Sequence, residues 1–389
     1  MKHADIVIIG AGPAGSAAAA TACGLGLQTA LIDARRFPRD KLCGGLITGR
    51  SRRHYRDIFG QDMPGALADR KTAPEFHLHG QPLGPINDVP PLDLTMRWDF
   101  DAATHAKAIA AGAVDMSGHR VTGLDRVARR LTLGDGRHLR YGVLIGADGV
   151  NSWTARQLFG AAFDRATIGF ALEIEAAGAH LDPAAPIRID IAAVAWGYGW
   201  RFPKSCATTV GVGGLMARNG DMKAAMHRYM AQLGIAEDAA RLKGQFLPFG
   251  DFRKVPGQGA VLLAGDAAGL VDPITGEGIA HALHSGQLAA RAAHAALAGG
   301  GPETALRRYQ RLLRPLHREL RMARLLRPLF HVPALQRRLA PAFRQSTTLK
   351  RQYMDLLAGE AGYGDILRGL ARRVPALALA HRAGRPGPP

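Results

Sequence analysis

An α/β fold is what this sequence predicts: a parallel sheet layered with helices, an antiparallel sheet spliced into it, and a helical C-terminal segment. Three observations predict it. Residues 5–33 run through a fully apolar strand, a glycine turn, an alanine-rich helix and a second apolar strand. Between Thr167 and Leu215 four short strand-like runs follow one another. At Ala260–Ala264 a further apolar run appears, so the first layer resumes after an insertion. Apolar runs without alternation belong to strands buried on both faces, whereas closely spaced runs broken by turns belong to antiparallel sheets.

The elements follow in order. The first strand is Ile6-Val7-Ile8-Ile9, the helix spans Ser16 to Leu25 and is stopped by Gly24 and Gly26, and the second strand is Thr29-Ala30-Leu31-Ile32. Leu131–Leu133, the turn Gly134-Asp135-Gly136 and Leu139–Ile145 read as a hairpin. The inserted strands are Ile168–Ile174, Ile187–Val194, Tyr198–Phe202 and Ala207–Val212, and a long helix begins at about Pro273. Beyond Gly299-Gly300-Gly301 the chain is helical and rich in Arg and Leu. The expected organisation is a nucleotide-binding domain of residues 1–70, 97–160 and 256–300, a substrate or catalytic domain of residues 71–96 and 161–255, a basic helical region of residues 301–380, and a disordered Gly/Pro tail of residues 381–389.

Composition narrows the class. With 47% hydrophobic and 21% charged residues over 389 positions, this is ordinary globular composition, and no uninterrupted apolar run reaches membrane-spanning length. The first strand starts so early that no cleavable signal segment is expected ahead of it. The three cysteines, Cys23, Cys43 and Cys206, lie far apart and form no CxxC pair, which points to a reduced, cytoplasmic protein. Residues 304–389 carry 18 Arg and Lys against 4 Asp and Glu, so +14 of the net +18 belongs to the C-terminal region.

Gly10-Ala11-Gly12-Pro13-Ala14-Gly15 has the form GxGxxG, follows a strand, opens a helix, and precedes Asp33 by 18 residues counted from Gly15. Gly10 permits the tight turn, Gly12 lets backbone approach a pyrophosphate, and Gly15 allows close helix–strand packing. The helix N-terminus directs bare N–H groups at the phosphates, and Asp33 can accept ribose hydroxyls. This is a Rossmann-type dinucleotide site. Two later stretches bear on which dinucleotide. Gly146-Ala147-Asp148-Gly149 closes one strand. Leu263-Ala264-Gly265-Asp266 closes another and is followed by Asp272-Pro273 and Gly276-Glu277-Gly278-Ile279. A carboxylate at Asp266 suits ribityl hydroxyls, and the next helix N-terminus suits the negative charge of a reduced flavin ring. Together the three stretches resemble the FAD-dependent family typified by para-hydroxybenzoate hydroxylase, over most of residues 1–300.

Two further stretches narrow the resemblance. Lys41-Leu42-Cys43-Gly44-Gly45-Leu46 and Tyr198-Gly199-Trp200-Arg201-Phe202-Pro203-Lys204, followed by Val210-Gly211-Val212-Gly213, are similar to the KxCGG and YxWxFPK…VGxG segments of geranylgeranyl reductases. The resemblance implies a Rossmann-type FAD-binding domain with an inserted antiparallel β-sheet substrate domain. It implies Ala14 and Asp33 at the adenosine half of FAD, and Cys43, Gly44 and Leu46 beside the isoalloxazine. Arg97 would lie near the cofactor, Val121 at the adenine, and Asp266, Gly278 and Ile279 at the ribityl chain and ring. Gly10, Gly12, Gly15, Asp148 and Gly276 complete the cofactor set. Tyr198, Trp200 and Phe202 would line the substrate tunnel, with Cys43, Tyr198 and Trp200 as the candidates for shaping catalysis.

The implied activity is reduction of C=C bonds in an isoprenoid lipid by hydride transfer from flavin N5, with a proton supplied to the other carbon. An FAD-dependent monooxygenase or halogenase of the same fold is the rival, and a non-catalytic flavoprotein is a third class. The reductant is NAD(P)H or a ferredoxin-like donor. His281 and His284 lack a carboxylate at ligand spacing, so no metal is expected. From Leu306 to Leu329 leucines at 306, 313, 316, 320 and 326 flank arginines at 307, 311, 314, 318, 321 and 324, with a bend expected at Pro315. That basic amphipathic helix either packs its leucines on the body or lies on an anionic membrane at the inner face. Nucleic acid is disfavoured because no binding motif accompanies the charge.

Overall fold

The computed structural model describes residues 2–368 except 73, 85, 87–88, 179–181 and 250. The expected tail of residues 381–389, and residues 369–380 before it, lie outside the described residues. The first layer is a sheet in the order Gly257–Gln258, Val261–Leu263, His138–Gly146, His3–Ile9, Thr29–Asp33 and Val114–Ser117, parallel from the second strand to the last. The apolar runs explain the arrangement, since Ile6, Val7, Ile8, Leu144 and Leu262 are sealed on both faces. The hairpin expected near Leu131 forms between Arg130–Leu133 and His138–Gly146. The first helix, Pro13–Gly24, begins at Pro13 instead of Ser16, because proline suits the opening turn of a helix. Its small residues let the helix Ile279–Ala298 approach backbone to backbone: a Cβ on Gly286 would lie 2.0 Å from the Ala14 carbonyl oxygen.

The second layer is a seven-stranded sheet ordered Lys243–Leu247, Gly169–Ala176, Thr208–Leu215, Gly197–Pro203, Ile187–Ile191, Pro74–Leu78 and Gln81–Pro82. It is antiparallel except where Pro74–Leu78 runs parallel to Ile187–Ile191. The strand expected over Ile187–Val194 stops at Ile191, where Ala192 takes φ 64° and the chain turns. Alternation gives this sheet two unlike faces. Leu172, Ile174, Val210 and Val212 pack on Met226, Tyr229 and Met230 of the helix Met222–Gln232. Glu173, Gly211 and Trp200, in register across three strands, share the opposite face. A small antiparallel sheet of Leu46–Ile47, Leu92–Leu94 and Asp69–Lys71 lies between the layers in sequence.

Three helices, Ala305–His331, Pro333–Gln345 and Thr347–Ala358, follow in the C-terminal region, with residues 363–368 again helical at the end of the described chain. The first runs through both Pro315 and Pro328. It buries Leu313, Leu316 and Leu320 in the core of the first layer. The third packs Tyr353, Met354, Leu356 and Leu357 into the cluster that holds Ile189, Trp200 and Phe202 of the second layer. The C-terminal region therefore ties the two layers together. Among the described residues no helix is long and apolar enough to cross a membrane.

Candidate active site

A cavity of about 980 Å³ runs from the glycine turn of the first layer to the open face of the second. That is the upper end of the range for ligand pockets. Gly10, Gly12, Ala14 and Asp33 line one end with Val121 and Asp148, and Arg97 lines the cavity nearer Cys43. Cys43, Gly44 and Leu46 line its middle, and Asp266, Gly276, Gly278 and Ile279 face them. Tyr198, Trp200 and Phe202 line the far end. Of the residues singled out in the sequence, Gly15 alone stands off the wall. A Cβ there would sit 1.7 Å from the Gly10 carbonyl oxygen, so its contact is helix against strand.

The nucleotide end is built mainly from backbone. Gly10 has φ +96°, and a Cβ on it would meet the Ala147 carbonyl at 2.4 Å. Gly12, by contrast, faces open space, with the Arg39 guanidinium 3.5 Å from its Cβ position as the nearest group. Gly12 caps the helix Pro13–Gly24 without any side-chain hydrogen bond, leaving the first-turn N–H groups free for an anion. Asp33 ends its strand half-committed: Oδ2 accepts from Ala11 N and Oδ1 from Arg35 N, both at 2.9 Å. Further acceptor capacity remains for a ribose. Asp148 is turned inward, accepting from Ser152 Oγ at 2.5 Å and Thr154 N at 2.8 Å, so it holds the start of the helix Trp153–Phe159. Burial raises its pKa against those bonds.

Around the middle, charge is paired. Arg97 forks onto Asp101 at 2.7 and 2.8 Å, both buried, with Cys43 close enough to act on its charge. Burial acts to lower the pKa of this guanidinium, but Asp101 and Cys43 more than offset it and hold the group charged. Lys41 lies 3.7 Å from Asp266. On the facing side Gly278 caps the helix Ile279–Ala298 with no side-chain bond, so a second helix N-terminus opens on the cavity. The helix expected from Pro273 starts here because Gly276, at φ +71°, and the Asp272 turn intervene. Two uncapped helix ends, a glycine cradle and a ribose-facing carboxylate along one elongated cavity fit a flavin dinucleotide.

The far end is made by side chains. A Cβ on Gly211 would lie 2.3 Å from Trp200 Cζ2, so the bare strand there is the bed on which the indole lies. That lets Trp200 Nε1 reach Glu173 Oε2 on the next strand but one at 3.3 Å. Phe202 and Trp200 in turn press on Gly44, where a Cβ would meet Phe202 at 2.8 Å. Tyr198 touches the backbone of Gly276, its hydroxyl 2.0 Å from the missing Cβ. Burial raises the Tyr198 pKa, keeping the phenol protonated. Ile189, Phe246, Leu247, Phe249 and Leu357 extend this end as an apolar slot.

Several contributors escaped the sequence reading. Glu173 and Lys204 are buried behind the wall, Glu277 accepts from Thr48 Oγ1 and Arg50, and Tyr363 donates to Asp272 at 2.8 Å. Glu173 alternates with Leu172 and Ile174, a pattern that reads as a solvent-facing position when the sheet's other side is unknown. Lys204 lay within the aromatic segment, but a lysine after a strand carries no signal of burial. His284 stacks on His54 with ring centroids 4.4 Å apart, and burial lowers both pKa values, to about 4 and about 3.

Comparison with known proteins adds to the geometry. Residues 4–178 match the family model described as pyridine nucleotide-disulphide oxidoreductase. A digeranylgeranylglycerophospholipid reductase of Methanosarcina acetivorans is 32% identical over 319 residues, 76% of each chain. A menaquinone reductase of Mycolicibacterium smegmatis is 30% identical over 315 residues, 74% of this chain and 76% of that one. Among solved structures, a geranylgeranyl bacteriochlorophyll reductase-like protein from Thermoplasma acidophilum superposes with a TM-score of 0.79 at 22% identity, covering 96% of this chain and 100% of that one. A flavin-dependent brominase shares the fold, with a TM-score of 0.71 at 21% identity over 96% of this chain and 100% of its own.

Proposed function

The chain belongs to the geranylgeranyl reductase family of FAD-dependent oxidoreductases, and from that premise we propose that it reduces C=C bonds in the isoprenoid chain of a lipid. The observation that carries this reading is the apolar slot. It opens from the Cys43–Gly45 loop and is walled by Tyr198, Trp200 and Phe202 on one side and by Phe249 and Leu357 on the other. An alkene offers no polar handle, so a site for it must bind by burial, worth about 0.8 kcal/mol per CH₂. Once reduced, FAD bound at the glycine cradle supplies the hydride.

The chain's own residues do the rest. Gly10, Gly12, Ala14, Asp33 and Val121 hold the adenosine half, and Asp266, Gly276, Gly278 and Ile279 hold the flavin half. Gly44 and Leu46 would border the flavin ring, with Arg97 beside Cys43. Trp200 and Phe202 align the isoprenoid and exclude water. The Tyr198 phenol and the Cys43 thiol stand on the wall, and one of them supplies the proton to the second alkene carbon. The reductant is external, NAD(P)H or a ferredoxin-like donor, distinguished by anaerobic titration with each.

The exposed arginines of the helix Ala305–His331 support peripheral binding to an anionic leaflet, where such a lipid resides. The test of the whole reading is anaerobic mixing of reduced enzyme with a geranylgeranyl lipid, followed by mass analysis. Flavin reoxidation with the lipid gaining two hydrogens per turnover supports it. A flavin that stays reduced until oxygen is admitted removes it and leaves the oxygen-dependent chemistry of the monooxygenases and halogenases.

A further inference from the structure

Behind the loop and the aromatic wall lies a buried charged pair that the proposed chemistry does not use. Glu173 is fully buried and is not part of the cavity lining. Its Oε1 accepts from the backbone N–H of Cys43 at 3.2 Å, and its Oε2 accepts from Trp200 Nε1 at 3.3 Å. Lys204, 1% exposed, donates to Thr209 Oγ1 at 2.7 Å, and its ammonium lies 3.3 Å from the Cβ position of Gly45. The first donor belongs to the cofactor side of the cavity and the second to the substrate side. The carboxylate is thus the joint between a loop 130 residues before it and a ring 27 residues after it.

We propose that Glu173 is a positioning residue that clamps the Cys43–Gly45 loop to the Trp200 ring, so that the flavin-side wall and the substrate-side wall move as one unit. A carboxylate is required because two N–H groups converge on it, one per oxygen, and only an acceptor-only group satisfies both. Glutamine has the same shape but presents its own N–H₂ to one of the two donors. The groups facing Glu173 are Lys204 beyond the Gly197–Pro203 strand, Glu175 on its own strand (itself held by Lys243 at 2.9 Å), and Cys43 and Trp200. Burial pushes its pKa up to about 7, against Lys204 and the two hydrogen bonds that hold it down. The ionised form accepts more strongly than the neutral acid. The clamp therefore tightens as pH rises through 7.

The inference deepens the reading of this cavity as the reaction site and rests on it only for its consequence in turnover. The experiment needs no lipid. FAD-loaded wild type, Glu173→Gln, Trp200→Phe and the double variant are treated with iodoacetamide, and the modification of Cys43 is followed by peptide mass analysis, which separates it from Cys23 and Cys206. Glu173→Gln should speed Cys43 alkylation by about tenfold, the scale of one lost hydrogen bond to a charged acceptor. The ratio of its rate to the wild-type rate should grow from pH 6 to pH 8. In the Trp200→Phe background the second donor is gone, so the same substitution should change the rate by less than about twofold.

An unchanged Cys43 rate in Glu173→Gln overturns the proposal, as does an equal effect in both backgrounds. Should the single variant fail to fold, the double variant decides. If it folds and its Cys43 reacts about as fast as in Trp200→Phe, and about tenfold faster than in the wild type, the clamp stands. If Cys43 reacts at the wild-type rate, or the variant also fails to fold, Glu173 is only a structural group. Failure of lipid reduction in the wild type would leave these rates unaffected, so the two readings fail separately.

Discussion

The two ends of the cavity are built in opposite ways. The nucleotide end is backbone: Gly10, Gly12, Gly15 and Asp33 lie within one strand–helix–strand unit, and the spaces left at Gly10 and Gly15 are bounded by carbonyl groups. The aromatic end is side chain: Trp200, Phe202, Glu173 and Lys204 come from two strands and the segment following one, laid over Gly211 on a third and pressed against a loop 130 residues earlier than Glu173. Backbone cannot yield to an added atom, whereas a ring can tilt. One wall should therefore fail by losing the fold or the cofactor, and the other by losing alignment while the protein stays folded.

The largest effect tests the first half of that contrast. Gly15→Ala places a methyl 1.7 Å from the Gly10 carbonyl oxygen with no side chain to give way. A loss of more than about 4 kcal/mol and no recoverable folded flavoprotein is expected. Gly12→Ala meets nothing closer than 3.5 Å. It should fold with a thermal midpoint near that of the wild type and yet lose FAD affinity by about 100-fold, since the methyl occupies the approach reserved for phosphate. Both are read by calorimetry and by the flavin-to-protein ratio. Equal behaviour of the two variants would remove the distinction between a glycine kept for packing and one kept for the ligand.

Gly211→Ala tests the other wall and should do less damage. Its methyl would fall 2.3 Å from Trp200 Cζ2 and 2.8 Å from the Leu172 carbonyl oxygen, so the indole must lift and the neighbouring strand shift slightly. A cost of about 1–3 kcal/mol is expected, the usual penalty for overpacking. FAD should be retained, with a shift in tryptophan emission and turnover of a geranylgeranyl lipid falling by roughly tenfold or more as the isoprenoid loses its flat wall. Loss of the flavin in this variant would mean that the lipid wall is as rigid as the nucleotide wall, and the contrast would collapse.

The same contrast explains what could be read before the fold was seen. Gly10–Gly15 and Asp33 were legible because a backbone site must be local: its spacing is set by one turn and one helix. Tyr198, Trp200 and Phe202 were legible as aromatic positions on alternate residues of one strand. What they touch was not. Glu173 reaches Trp200 only across Gly211, a pairing set by strand register and invisible to spacing along the chain. Leu357 lines the aromatic end, and Tyr353 and Tyr363 pack behind it, from a region with no motif, and the bond from Tyr363 to Asp272 links residues 91 positions apart. The strand that was drawn too long, past Ile191, failed for a related reason: Ala192 and Trp196 adopt positive φ because the tertiary turn demands it, although neither residue type favours it.

The smallest effect on the fold concerns a third surface that belongs to neither wall. Along the helix Ala305–His331, Arg307, Arg311, Arg314, Arg318 and Arg321 are exposed on one side, with Leu325 79% exposed near its end. Among the described residues none of these five arginines is in an ion pair, whereas Arg324 is held by Asp251 at 2.6 Å. The leucines at 313, 316 and 320 are already spent on the core, so the helix presents charge outward instead of inserting an apolar face. An attachment to membrane through this face should then be electrostatic and should weaken with salt. Arg311→Glu with Arg318→Glu should change stability by less than about 0.5 kcal/mol, as expected of exposed positions away from caps and cores. In a vesicle-sedimentation assay on phosphatidylserine-containing liposomes, each lost arginine should cost about 1 kcal/mol of binding, and the reversed charges more. Flavin content and Cys43 reactivity should stay at wild-type values, because the cavity walls do not include this face. Binding that is insensitive to both the substitutions and to salt would remove the arginine face from membrane contact and leave it as a solvated surface.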